Sequence, residues 1–454
     1  MNSPFIQNQN QNQNQKIEIT LCEKNTVLLG LTGEQQKDRK TLSEFSKISG
    51  TIYPHILVEN RENTNEPAIK SISWHKYQQK FAVLLGDDQV AIFDLLQQNW
   101  ENLQLSNPEQ TNSTCIKYRP LSGDSFAVGN ANGNVIVWRI KHSLIFGESQ
   151  EEMDFIDENQ ESIEPFNSQS KMRNEQKISH LMEQESKEGV IMCILKHKKP
   201  VKMISWADNG RLIAVASDSF IFIWDIFTQK QTELKRPSSF KTSIDSVEWS
   251  PSGLYLIAIM NKTQLVIYET QNWNSQILKY DLKIGSICWN SNDDMLCLSF
   301  KNHVEIDFVR FMNTYSESKP SFDINVSSEN LNEIVENHFR SFRNLSHQEI
   351  IDQDNQDEYS IKKMALDPSG KRLAIIFSDS SPLNKLICLL SVQQLKIPYS
   401  IQLSFIGYIH GSPECGKPQI LSFSPNFTKG ALLCCVWENG RIQLLPLYFK
   451  NDFN

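Results

Sequence analysis

The sequence predicts an all-β protein, a seven-bladed β-propeller with two inserted loops, and three observations carry that prediction. The first is self-similarity. An apolar strand ending near an aromatic, a polar turn, a second apolar strand, another turn and a strand that often ends in Trp recur seven times. In the clearest copy Val201–Trp206 is followed by a turn at Ala207–Gly210, a strand from Arg211 to Ser217, a turn at Asp218–Ser219 and a strand from Phe220 to Asp225. The second observation is the period. The residues ending each first strand, Trp74, Tyr118, Trp206, Trp249, Trp289, Leu366 and Phe423, are separated by 44, 88, 43, 40, 77 and 57 positions. A repeat near forty residues marks a propeller, and the two longest gaps demand insertions. The third is turn chemistry: Asp208-Asn-Gly210, Pro251-Ser-Gly253 and Pro368-Ser-Gly370 each follow an anchor, where a hairpin needs Gly, Pro or Asn. A lone four-stranded blade cannot bury both faces, and a ring gives each sheet two neighbours.

Taken in order, residues 1–15 form a low-complexity Gln/Asn tract expected to be disordered. Residues 16–67 hold a closing strand and a linker. The alternating run Ile17–Cys22 reads as a strand that completes the blade of the other terminus, and Lys37 to Pro67 is polar apart from Ile52 to Val58. The propeller proper is expected over 68–450, with insertions at about 141–195 and 311–360. Runs such as Leu254 to Met260 and Leu373 to Phe377 are continuously apolar, as strands covered on both faces should be.

The insertions differ in chemistry. Between Ile145 and Val190 there are twelve acids and four bases, so this stretch alone accounts for the chain's net charge of −8. Its low hydrophobicity predicts flexibility. The second insertion places Leu331, Ile334, Val335, Phe339, Phe342 and Leu345 three or four apart, which predicts one apolar stripe on a helix. Ser328 stands where an N-cap would. Packing of that stripe on the propeller itself is the preferred expectation; the alternative is a docking helix for a partner, carried by Leu331, Ile334, Val335, Phe339 and Phe342.

The net acidity argues against a general nucleic-acid-binding surface, which needs excess Lys and Arg. The nine cysteines are scattered without a C-x-x-C pair, and Cys115, Cys193, Cys288, Cys297 and Cys388 fall in apolar runs, so a reducing compartment is expected. No apolar run has the length of a bilayer span and no hydrophobic signal core begins the chain. Membrane association is therefore expected only through a partner.

Motifs that resemble chemistry mostly dissolve in context. Gly411-Ser-Pro-Glu-Cys-Gly416-Lys417 has the outline of a phosphate loop, but Pro418 replaces the magnesium-binding hydroxyl and a strand follows. Gly129-Asn-Ala-Asn-Gly133 reads as a hairpin turn. His197 precedes Trp224 by 27 residues, and with Ser217 (or Ser205) and Asp218 these residues suit the structural hydrogen-bond chain of a WD40 blade better than a catalytic triad. Asp87-Asp88 and Asp293-Asp294 read as solvated turn residues, and Lys196-His-Lys-Lys199 as a solvated loop. No His/Cys cluster has metal-ligand spacing. No catalytic, cofactor-binding or metal-binding residue is expected. A hydrolase built in the central channel would need carboxylates or His on the innermost strands, and these are expected to be mostly Val, Ile, Leu and Ala.

The last blade carries a more specific signal. Gly407-Tyr-Ile-His-Gly411, Phe427-Thr-Lys-Gly-Ala-Leu-Leu433, Trp437-Glu-Asn-Gly-Arg-Ile442 and Pro446-Leu-Tyr-Phe449 resemble the closing blade of the aladin family of WD-repeat nucleoporins. Ser73-Trp-His75, Lys80-Phe-Ala-Val83, Asp87-Asp-Gln-Val90, the opening strand and Tyr53-Pro-His55 are similar too. The segment between opening strand and first blade is shorter than in that family, and the acidic insertion is peculiar to this chain. The resemblance implies a non-catalytic scaffold subunit of the nuclear pore complex at the nuclear envelope, supporting nucleocytoplasmic transport. Its implied partners are other nucleoporins, among them a transmembrane nucleoporin, with no direct nucleic acid and no membrane insertion of its own. The alternative is a WD40 adaptor elsewhere, such as a ubiquitin-ligase substrate receptor.

Overall fold

The computed structural model describes residues 69–143, 186–235, 243–314, 321–331, 334–335, 359–396 and 399–451, apart from single loop positions, and the short strands Glu18–Cys22, Leu28–Leu29 and Gly50–Ile52. Seven antiparallel sheets are present, and each begins with one of the seven anchored strands. Blade 3 is representative: Met203–Trp206, Leu212–Ala216, Ile221–Asp225 and Lys230–Glu233 pair in sequence order. The first strands of blades 1, 2, 4, 5, 6 and 7 are Ile69–Trp74, Ser113–Tyr118, Ile244–Trp249, Ile284–Trp289, Ile361–Leu366 and Pro418–Phe423.

Burial follows position within a blade. Second strands such as Tyr255–Met260 and Arg372–Phe377 are buried along their whole length, because neighbouring blades cover both faces. First strands are less completely buried: in Ser113–Tyr118 Thr114 and Lys117 are partly exposed, and in Ile284–Trp289 the four central residues are. Fourth strands such as Lys230–Glu233 lie open at the outer edge.

The core is divided among the blade junctions. Each of the seven clusters of buried apolar residues joins two successive blades, and one of them packs Trp74, Phe81 and Val83 of blade 1 against Leu432, Cys434 and Val436 of blade 7, which closes the ring. Polar bonds repeat across these junctions. Ser73 Oγ accepts from the Tyr118 amide at 2.9 Å, and Ser205 Oγ accepts from the Trp249 amide at the same distance, so a Ser before the strand-end Trp binds the next blade. Lys80, buried at the start of its strand, meets Asp124 of blade 2 at 3.0 Å and Glu101 at 3.6 Å. A buried charge needs such partners.

The amino-terminal segment does more than close the last blade. Glu18–Cys22 and Gly50–Ile52 both pair antiparallel with Ile442–Asn451, one beside each end of it, while Leu28–Leu29 pairs with Tyr408 and Ile409 of blade 6. The expected linker thus contains two strands of two and three residues, too short to print an alternation in the sequence.

Both expected insertions were drawn too wide. Ser186–Lys196 is the fourth strand of blade 2, and Glu305–Thr314 and Ser321–Asn330 are the third and fourth strands of blade 5. Ser321–Asn330 is rich in polar residues because solvent covers its free edge, whereas Ser186–Lys196 holds the apolar run Val190–Leu195 directly after an acidic stretch. Ser328 is consequently a strand residue and caps no helix. Ile334 and Val335 are helical, with the Val335 amide donating to the Leu331 carbonyl at 2.8 Å. Leu331 and Val335 are fully buried in the cluster shared by blades 5 and 6, with Ile334 packed against it, so these side chains serve this chain's own core and not a partner. Phe339 and Phe342 lie outside the described residues.

Candidate interaction surfaces and central channel

Antiparallel order fixes what each edge of the ring carries. Within a blade, the turns after the first and third strands share one rim, and the turns after the second and fourth share the other. Contacts around the ring show that the blades agree in direction. Arg119, in the first turn of blade 2, donates from Nε to the Gly210 carbonyl in the first turn of blade 3 at 2.6 Å. Lys76 of blade 1 reaches Asp208 of blade 3 on the same rim. Gly210 has φ +62°, and a Cβ there would strike the Pro120 carbonyl.

That first rim is apolar over blades 1–4. Eight large apolar side chains are exposed among the described residues, and six of them, Tyr77, Leu96, Leu121, Phe227, Leu254 and Trp273, sit in its turns. The Arg119 guanidinium lies 5.2 Å from the Phe227 ring centre and 6.0 Å from that of Trp206. Trp273 stands edge-on to Trp249 at 6.0 Å. Aromatic side chains with Arg are the composition of protein interfaces, and apolar groups gathered on one face mark a docking surface. Sequence reasoning passed over these residues. The signal was available as large apolar residues inside polar turns, in His75-Lys-Tyr-Gln-Gln79 and Asn272-Trp-Asn274.

The paired aspartates do fall in turns, but one of each pair is a structural clamp. Asp88 accepts from the Asn112 and Ser113 amides at 2.7 and 2.8 Å and meets Lys70 at 2.9 Å, which ties blade 1 to blade 2. Asp293 is only 4% exposed and accepts from Ser250 Oγ at 2.7 Å and the Ser252 amide at 3.1 Å in blade 4. Neither is a solvated turn carboxylate. Each neutralises amides that the blade junction would otherwise bury unpaired.

The blade 3 network is smaller than expected. His197 Nε2 and Ser217 Oγ are 3.1 Å apart, the ring lies edge-on to Phe222, and burial pulls the imidazole pKa down. Asp218 is absent from this network. It pairs in solvent with Lys202 at 2.8 Å, whose charge holds its carboxyl below the usual range. The buried Trp224 indole N–H finds no acceptor among the described residues, so the four-membered chain reduces to one His–Ser contact. The local reason is that Lys202, on the next strand's approach, offers Asp218 a full charge where His197 offers a neutral ring. The phosphate-loop outline also resolves: Pro413–Cys415 is a single 3-10 turn and Pro418–Phe423 is a strand.

A cavity of about 560 Å3 runs along the axis between the first strands of blades 2 to 7. Its wall corrects the expectation of Val, Ile, Leu and Ala there. Lys117, Asp245, Glu248, Lys362 and Lys363 line it, brought to the axis by the first strands of blades 2, 4 and 6. Burial pushes the Glu248 carboxyl up, against the opposing charge of Lys117, and burial together with Lys362 pulls the Lys363 ammonium down. The described lining holds no histidine or cysteine. Among the described residues no three His, Cys, Asp or Glu side chains gather as metal ligands, and no helix is long and apolar enough to cross a membrane. The described cysteines are free, and the Cys288 thiol, hydrogen-bonded to Cys297 across the blade 5 hairpin and buried, is held well above the usual range. Burial likewise raises Cys193 to about 11.

Ring, rims and axial cavity define a class: a seven-bladed β-propeller of the WD40 type, an interaction fold. Residues 189–225, the blade 2–blade 3 junction with His197 and Trp224, match the family WD40 (WD domain, G-beta repeat). Among curated proteins, the chain is 23% identical over 95 residues to "Cell division cycle 20.1, cofactor of APC complex" of Arabidopsis thaliana, covering 20% of this chain and 21% of that protein. It is 24% identical over 159 residues to a subunit of chromatin assembly factor 1 of Mus musculus, covering 34% and 23%. The matches thus span less than a quarter of either relative's length. Among solved structures, the β-propeller domain of Cps50 (Swd1) from Myceliophteria thermophila superposes with a TM-score of 0.53 at 13% identity, covering 87% of this chain and 99% of that one. A chain of the Mitotic Checkpoint Complex does so with a TM-score of 0.53 at 13% identity, covering 86% and 94%. These likenesses establish the fold.

Proposed function

We propose that this protein is a non-catalytic scaffold subunit of the nuclear pore complex, of the aladin type, and that it supports nucleocytoplasmic transport by holding other nucleoporins against its rims. The observation that carries the pore assignment is the closing blade, where Phe427 to Leu433, Gly440 to Ile442 and Pro446 to Phe449 resemble that family at a density beyond a generic repeat. The scaffold role is supported by the apolar rim of blades 1–4, with Tyr77, Phe227 and Trp273 exposed beside Arg119. A transmembrane nucleoporin is the proposed route to the nuclear envelope. A tagged copy in living cells tests this: a punctate nuclear rim is expected, and a diffuse cytosolic signal contradicts it.

A second reading, an adaptor outside the pore, draws on the likeness to a cofactor of the APC complex over 95 residues. It predicts the diffuse signal and co-purification with ubiquitin-ligase subunits.

A further inference from the structure

The rim opposite the apolar one carries a concavity of about 510 Å3 between blades 4 and 5. Three lysines converge on it from three different elements: Lys262 from the turn after the second strand of blade 4, Lys283 from the connection between the blades, and Lys301 from the equivalent turn of blade 5. Their backbones are fastened together. The Ile284 amide donates to the Lys262 carbonyl at 2.6 Å, and the Lys301 amide donates to the Lys283 carbonyl at 2.7 Å. Lys262 is held at φ +63°, with its amide on Asp245 Oδ2 at 2.8 Å. All three side chains are exposed, and none has an ion pair or side-chain hydrogen bond among the described residues. The only carboxylate in the described lining is Asp281, and His303 adds a further potential cation. Some other lysines on this rim are paired: Lys202 with Asp218, and Lys362 and Lys417 with Asp379. Here three lysines share one concavity with a single lining carboxylate, Asp281.

We propose that this cleft binds a short acidic segment of a partner protein, a run of Asp or Glu whose carboxylates meet Lys262, Lys283 and Lys301; the proposal deepens the scaffold reading above and rests on it. The chemistry favours carboxylates over nucleic acid. The described lining has no Phe, Tyr or Trp for a base to stack on, and an isolated cluster of three charges gives a phosphate backbone no track to follow. It has no Arg for a bidentate phosphate clamp either. The acidic stretch of 145–190 leaves blade 2 after Ser143 and returns at Ser186, on the opposite rim. The acidic run Asp352 to Glu358 belongs to the connection between blades 5 and 6, whose described ends lie on the same rim as the cleft: the Leu331 amide donates to the Val304 carbonyl at 3.2 Å and the Ile361 amide donates to the carbonyl of the lining residue His303 at 3.1 Å, so this segment is the competitor that the test separates from a partner.

The test is fluorescence anisotropy of a labelled octaglutamate peptide with the full-length protein, compared with Lys262→Glu/Lys283→Glu/Lys301→Glu. We expect measurable binding that weakens steeply with salt, and at least a tenfold loss in the triple variant with an unchanged melting curve. If the triple variant melts early, Lys262→Ala alone is expected to weaken binding about threefold. Equal binding by wild type and a folded variant overturns the proposal. So does tighter binding of an oligothymidylate of the same charge, which would make the cleft a nucleic-acid site. So does octaglutamate binding that emerges only when Asp352, Asp354, Asp357 and Glu358 are neutralised, which would make the occupant the chain's own segment. Localisation is read separately: a triple variant that loses the peptide but keeps the nuclear rim separates this cleft from the pore assignment.

Discussion

On one rim of the ring the turns of blades 1–4 expose Tyr77, Leu96, Leu121, Phe227, Leu254 and Trp273; on the other, the turns of blades 4 and 5 expose Lys262, Lys283 and Lys301 around a cleft. The two rims are built by the same strands, and neither set of residues is needed to make a turn. Asp208-Asn-Gly210 shows one way to make such a turn, a polar start and a Gly at positive φ, whereas Leu121, Trp273 and Lys262 take positive φ without Gly. The difference teaches where structure ends and function begins in a repeat protein. Junction residues satisfy one another across blades, while rim residues such as Phe227 and Trp273 keep exposed apolar surface beside the contacts they make with Arg119 and Trp249. An apolar rim suits broad, desolvating contact, and a lysine cleft suits a charged segment steered from a distance.

That contrast can be broken from the largest effect downward. Trp224→Ala empties a buried site between blades 2 and 3 and should cost about 3–5 kcal/mol of stability, abolishing both rims together. A melting curve unchanged from wild type would mean that Trp224 supports no junction. Asp293→Ala removes the clamp on Ser250 and Ser252 and is expected to cost about 1–3 kcal/mol, read as a lower urea midpoint. Were Asp293 merely a rim residue, the midpoint would not move.

Glu248→Gln probes the channel between the rims. The folded protein holds the Glu248 proton more tightly than the unfolded chain does, because burial raises its pKa. Its contribution to stability therefore falls as pH rises from the ordinary glutamate range through the raised folded value. The Gln variant should melt higher than wild type at pH 7, with the gap closing near pH 4. A lower melting temperature at pH 7 would show that Glu248 is held charged by Lys117. The smallest effect on stability is expected from Phe227→Ser with Leu254→Ser, within about 0.5 kcal/mol for each exposed site. A larger loss would make that rim part of the core.

Much of the ring was legible in the sequence. All seven first-strand anchors end the strands they were assigned to, because each large side chain there is buried in a cluster at a blade junction. Fourth strands were less legible: Ser321–Asn330 is mostly polar and read as insertion, and the apolar run Val190–Leu195 of Ser186–Lys196 was absorbed into the acidic stretch before it. The network around His197 was legible as a spacing but not as a geometry, since the sequence cannot say that Lys202 draws Asp218 away. Rim function was legible least. Tyr77 and Lys301 acquire meaning only when the ring gathers turns distant in sequence onto one edge.

Proximity labelling in intact cells tests most directly whether the rims serve different partners. Wild type, Phe227→Ser/Leu254→Ser and Lys262→Glu/Lys301→Glu would each carry the same labelling tag. Each variant is expected to lose its own subset of the wild-type neighbours, with the lysine variant losing those that carry acidic runs. Identical losses in the two variants, or no loss in either, would contradict a ring that presents two chemically distinct surfaces.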